Sequence, residues 1–104
     1  MKEWDYHPTA WRELERAITK YEGERAGLGG ELLARVEDVL LASQEEPMPG
    51  TTVTAGGRDT LRRLLLERFP YALIVDVRPE TRLVLAVAHL RRRPGYWRAR
   101  VLKK

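Results

Sequence analysis

Between residues 9 and 21 the apolar side chains Trp11, Leu14, Ile18 and Tyr21 recur at spacings of three and four, with charged residues between them. That period lays one stripe along a helix and leaves the opposite face to solvent. Pro8 breaks what precedes it, and Thr9 is placed as the N-cap. GLGG at 27–30 interrupts the pattern, after which Leu32, Leu33, Val36, Val39 and Leu40 resume helical spacing as far as EEPMPG at 45–50. The short link between the two predicts an antiparallel helix hairpin. Ahead of it, Lys2–Tyr6 puts Trp4 and Tyr6 on one face if extended, which predicts a short strand.

Beyond residue 44 the period changes. Residues 45–57 collect turn formers with no sustained repeat and predict a loop leading into a sheet. Residues 58–68 alternate in part, FPYALIVDV at 69–77 is dense in β-formers, and RPET at 78–81 reads as a turn. Residues 82–89 carry LVLAVA, a nearly unbroken apolar run that suits a central strand covered on both faces. The order predicts an α+β fold: an N-terminal strand, the hairpin, then a three-stranded antiparallel meander in a curled sheet, with a short C-terminal tail. A length of 104 residues fits one domain spanning 1–104.

Composition narrows the chemistry. With 43% apolar and 33% charged residues the chain should bury a core. It has no cysteine, so disulfides and thiolate metal sites are excluded, and His7 and His89 alone cannot build a zinc site. No metal or cofactor is expected. No signal-peptide pattern and no bilayer-length apolar run is present, so the expected location is the cytoplasm, with no membrane partner. The net charge of +4 is unevenly spread: residues 1–57 balance to −5 and residues 58–104 to +9. The basic half should attract anionic partners, less strongly as salt rises.

AWRELERAITKYEGERAGLGGELLARVE, EEPMPG, RFPYALIVDV and VLAVAHLRRRPGYW stand in this order along the chain, and together they resemble the ParE/RelE superfamily of type II toxin–antitoxin toxins, in particular its ParE-like plasmid-stabilisation branch. The resemblance covers about residues 10 to 98, and GLGGEL, RFPY and HLRRRPGYW are its most specific pieces. Leu32 departs from relatives that place an aromatic there. The resemblance implies a bacterial toxin neutralised by a cognate antitoxin, with a toxin–antitoxin heterotetramer as one assembly. ParE relatives poison DNA gyrase; RelE relatives cut mRNA on the ribosome.

Metal-free RNA cleavage needs a base, an acid and a group that stabilises the phosphorane charge. His89, Arg62, Arg91 and Tyr96 are the candidates on that reading; the plainer reading of His89 is a hydrogen-bonded structural histidine at a strand end. Arg62, Arg91, Arg92, Arg93, Tyr96, Trp97 and Arg98 are the candidate target-binding set. Alternation sends neighbouring arginines to opposite faces, so Arg91, Arg92 and Arg93 cannot all meet one phosphate, and one of them can pair with Glu13 or Glu37. Tyr96 and Trp97 can stack on bases or close a core, whereas Arg98, Arg100, Lys103 and Lys104 read as solvent-facing. Arg58, Arg62, Arg63 and Arg68 line the first strand of the meander; alternation puts Arg58, Arg62 and Arg68 on one face, with Asp59 and Glu67 on the other, and together with Arg91 or Arg93 they suggest a basic concavity with no carboxylate base. Leu33, Val36, Leu40, Leu64 and Leu66 are candidates to line an antitoxin groove, or else belong to the core. Three functions remain open: a gyrase inhibitor acting by binding, a ribosome-dependent mRNA endonuclease, and a non-toxic binding module.

Overall fold

A computed structural model describes residues 4–44, 50–55 and 58–101. Of the strand expected over residues 2–6, residues 2 and 3 lie outside the described residues; β1 (Asp5–Tyr6) leads directly into helix α1 (Pro8–Glu24). The helix cap is His7 rather than Thr9: the Thr9 N–H donates to His7 Nδ1 at 3.1 Å. The imidazole lone pair takes the part of a serine oxygen, and Pro8 at the first helical position has no N–H to satisfy. Burial, the Arg100 and Arg12 charges push the His7 pKa below its ordinary value, against a smaller opposing pull from Glu13. A neutral ring is what the cap requires.

The buried line of α1 is Ala10, Leu14 and Ala17, one step around from the expected stripe, because small residues let the helix sit close to its neighbours. Trp11 is instead 46% exposed and meets Tyr6 edge to face, with ring centroids 5.1 Å apart. Helix α2 (Leu28–Ala42) buries Leu32, Val36 and Leu40. The hairpin closes through GLGG. The Glu22 carboxylate of α1 accepts the Gly27 and Gly29 N–H groups at 2.9 and 3.0 Å, which satisfies orphan donors at the start of α2. Gly29 permits the approach, since a Cβ there would lie 2.7 Å from the Ile18 carbonyl oxygen. At the far end Trp4 Nε1 donates to the Leu40 carbonyl at 3.0 Å.

The remaining strands are β2 (Thr51–Ala55), β3 (Arg58–Leu65), β4 (Tyr71–Arg78) and β5 (Thr81–His89), and the five-stranded sheet has the order β1-β5-β4-β3-β2. The meander β3–β4–β5 is antiparallel as expected. Two features differ. TTVTA, placed in a loop by its turn-rich surroundings, forms edge strand β2 against β3; its β-branched residues need only one partner strand. β1 joins the opposite edge parallel to β5, with Asp5 opposite Leu83 and Tyr6 opposite Val84. β4 starts at Tyr71 instead of Phe69, because Arg68 sits at φ 74° and Pro70 has no N–H for the ladder.

The helices pack on one face of the sheet, where Leu64, Leu73, Val75, Val84 and Val87 meet Leu14, Leu32 and Val36. A second apolar layer lies on the other face, where Leu61, Ile74, Leu85 and Ala86 meet Trp97 and Val101 of the C-terminal segment. Ile74 faces Ala86 and Val75 faces Val84, so Leu85 is the extra residue of a β-bulge, and consecutive Leu85 and Ala86 both enter the second layer. This two-sided burial accounts for the unbroken LVLAVA run.

Candidate functional site

On the second face, the part of the sheet that Trp97 and Val101 leave uncovered forms a cleft of about 230 Å³. Its floor is Val53 of β2, Ala72 and Ile74 of β4 and Ala88 of β5; its rim carries Arg63, Arg92, Arg93 and Arg98. Among the described residues no acidic side chain lines it. Register decides which β3 arginine contributes: Arg63 lies opposite Ile74 on the cleft face, and Arg62 lies opposite Val75 on the helix-covered face. The expected concavity of Arg58, Arg62 and Arg68 is therefore replaced. Arg62 is half-buried toward the helices, Arg68 is drawn off to Glu31 at 3.1 Å, and the side chains of Arg58 and Asp59 lie outside the described residues.

The walls are held in place by the C-terminal segment. Gly95, at φ 76°, turns the chain back over the sheet, and a 3-10 turn follows at Arg98–Arg100. The Arg92 guanidinium lies 3.8 Å from the Tyr96 ring centroid, and Arg100 lies 5.1 Å from the same ring. Arg98 donates to the Thr54 carbonyl at 3.2 Å and sits 5.6 Å from the Trp97 ring. The side chains of Arg63 and Arg93 have no hydrogen bond or ion pair among the described residues, and none of the four rim arginines is in an ion pair there.

Beside the cleft, at the edge of β5 beyond the end of β1, stands a closed polar network. Glu13 of α1 accepts four hydrogen bonds: from the Val87 N–H and Arg100 Nη1 on Oε1 at 3.0 and 2.9 Å, and from the Tyr96 hydroxyl and Arg100 Nη2 on Oε2, both at 2.8 Å. Arg100 also donates to the Leu85 carbonyl at 3.0 Å. Carboxylate and guanidinium thus bond the exposed backbone of β5 where a further strand would otherwise pair, and they tie the tail to α1. Burial works to raise the Glu13 pKa, but the hydrogen bonds from Arg100, Tyr96 and Val87 outweigh it and hold the carboxyl below its ordinary value. Burial and the Glu13 carboxylate push the Tyr96 phenol well above its ordinary value.

The predicted site residues separate into groups. Arg92, Arg93, Tyr96, Trp97 and Arg98 come together at the cleft, although Trp97 is only 5% exposed and serves as a plug in the second core. Arg91 is exposed and lies outside the cleft. His89 borders the cleft; its Nδ1 accepts the Arg91 N–H at 3.0 Å, and its ring packs edge to face on Tyr71 at 5.0 Å. Val36, Leu40, Leu64 and Leu66 are buried in the helix-side core and Leu33 is half-buried, but Leu64 also lines an open cavity with Val39, Ala42 and Leu65, and Leu40 lines another with Trp4, Tyr6 and Leu41. Arg100, expected in solvent, is the partner of Glu13; Lys103 and Lys104 lie outside the described residues. Glu13 was one of two acids named as partners for the arginine run, yet it pairs with Arg100 because the tail doubles back. Arg63 was missed because parity alone cannot say which strand face the helices cover. Among the described residues no group of three or more His, Asp or Glu side chains is placed to hold a metal ion.

No family model matches the chain, and no curated protein matches it by sequence. Among solved structures, a chain from the "Chromosomal ParDE TA system from P. aeruginosa" superposes with a TM-score of 0.67 at 14% identity, covering 86% of this chain and 96% of that one. The two chains share a fold. The α+β architecture expected from the hydrophobic pattern is therefore that of a ParDE-system chain. No helix among the described residues is long and apolar enough to cross a membrane.

Proposed function

We propose that the chain, acting as one domain over residues 1–104, is the toxin of a type II toxin–antitoxin module in the cytoplasm, neutralised by a cognate antitoxin and inhibiting DNA gyrase by binding. The shared fold with a ParDE-system chain supports the toxin assignment. The observation that carries the mode of action is the composition of the cleft: four arginines around an apolar floor, with no carboxylate among the described residues. The groups that could move protons near it are in part engaged elsewhere. The Tyr96 hydroxyl is committed to Glu13 and its phenol resists ionisation, and His89 Nδ1 is occupied by the Arg91 N–H. Such a surface can grip an anionic partner; it offers no paired base and acid for strand cleavage.

Expression of the chain under tight control, without an antitoxin, tests this directly. Lost supercoiling or double-strand breaks in cellular DNA support the proposal. Transcript cuts at the ribosomal A site would transfer the assignment to an mRNA endonuclease, and normal growth would leave a non-toxic binding module.

A further inference from the structure

We propose, building on the reading of the chain as a toxin that works by gripping a partner, that the arginine cleft takes an acidic peptide segment of a protein, with an apolar side chain between carboxylates. Charge complementarity is the first reason. Among the described residues Arg63, Arg92, Arg93 and Arg98 come together without an ion pair or a lining acid, and the Arg63 and Arg93 guanidinium groups, which have no partner there, match carboxylates in bidentate fashion. The floor is the second. Val53, Ala72, Ile74 and Ala88 present apolar surface at the bottom of the cleft, which gains from contact with an aliphatic side chain and stays wet under ribose and phosphate.

The aromatic rings are the third reason, and they weigh against a nucleic-acid strand. Single-stranded RNA and DNA gain much of their affinity by stacking bases on free aromatic faces. Here Arg92 and Arg100 lie over the Tyr96 ring, and Trp97 is buried with Arg98 near its ring. Trp97 has no open face to offer, and a stacking base would have to compete with the Arg92 guanidinium for the Tyr96 ring. A chain of carboxylates with one apolar anchor uses everything the cleft does present.

The test is fluorescence anisotropy of the full chain with a labelled ten-residue peptide alternating Glu and Leu. Three probes are compared with it: the same peptide with Gln for Glu, the same with Ser for Leu, and labelled single-stranded RNA of equal length. The acidic peptide should bind, and Arg63→Ala and Arg93→Ala should each weaken it about tenfold, as loss of a charge-assisted hydrogen bond implies. Both variants should keep the thermal midpoint of the parent, since neither arginine supports the fold. The Gln peptide should lose binding, and the Ser peptide should be weakened. No binding of the acidic peptide, equal binding by either variant or by the Gln peptide, or tighter binding of RNA each overturns the proposal. Growth arrest is scored separately: a chain that binds the peptide but does not arrest growth defeats the toxin reading alone, and an arresting chain that ignores the peptide defeats the cleft assignment alone.

Discussion

The two faces of the sheet are covered by different means. On the helix side two amphipathic helices lay a continuous apolar surface over Leu73, Val75 and Val84, and the closure relies on shape and area. On the other side a segment of a few residues does the covering, with Trp97 and Val101 as its buried anchors among the described residues, and it is pinned at the sheet edge by Glu13 and Arg100. A hairpin long enough to span a sheet needs no polar clamp. A short tail does, and because it covers only one end it leaves the basic cleft open.

If that contrast is right, the largest effect should come from the clamp. Glu13→Ala leaves a half-buried guanidinium, the Tyr96 hydroxyl and the Val87 N–H without their shared acceptor, and should cost about 3–4 kcal/mol in urea unfolding. A loss below about 1 kcal/mol would mean that the tail holds itself by apolar contact, as the helices do. Trp97→Ala comes next, at about 3 kcal/mol. Hydrogen exchange should show the loss concentrated in the C-terminal segment, with Leu14, Leu32 and Val36 still protected; loss spread over both faces would erase the distinction between them.

The pH profile sharpens the same comparison. Glu13 has a folded pKa below its unfolded one, so its contribution is fully present above the ordinary carboxylate range and is lost as pH falls through the lower folded value. Tyr96 has a raised pKa, so its contribution is present below about pH 10 and is lost as pH rises beyond it. Replacing Glu13 by Gln should flatten the acid limb of stability, measured as urea midpoints from pH 7 downward; an unchanged limb would place the acid sensitivity elsewhere. The smallest effect belongs to the cleft rim, where Arg93→Ala should change stability by no more than about 0.5 kcal/mol, because the exposed side chain has no partner among the described residues.

The helix hairpin was legible because a 3.6-residue period and GLGG both mark it, and Gly29 and Glu22 supply the physical reason for that motif. The RFPY and HLRRRPGYW stretches turn out to serve packing as well: Arg68 reaches Glu31, Phe69 packs edge to face on Tyr21 at 5.2 Å, and Tyr71 packs on His89. Edge strand β2 was hidden by its neighbours Pro49 and Gly56, whose turn character masks five β-compatible residues. The clamp was hidden because Glu13 and Arg100 are 87 positions apart and meet only when Gly95 turns the tail back. Parity placed Arg62 and Arg63 on opposite faces correctly, but which face the helices occupy is a tertiary fact with no local signal.

The most direct test of the account compares the parent chain with the Arg63→Ala, Arg93→Ala double variant during expression without an antitoxin, reading growth and transcript ends in the same cultures. The account predicts growth arrest by the parent with intact transcripts, and release of that arrest by the variant at equal protein level. Arrest that persists in the double variant, or transcripts cut by the parent, would contradict it.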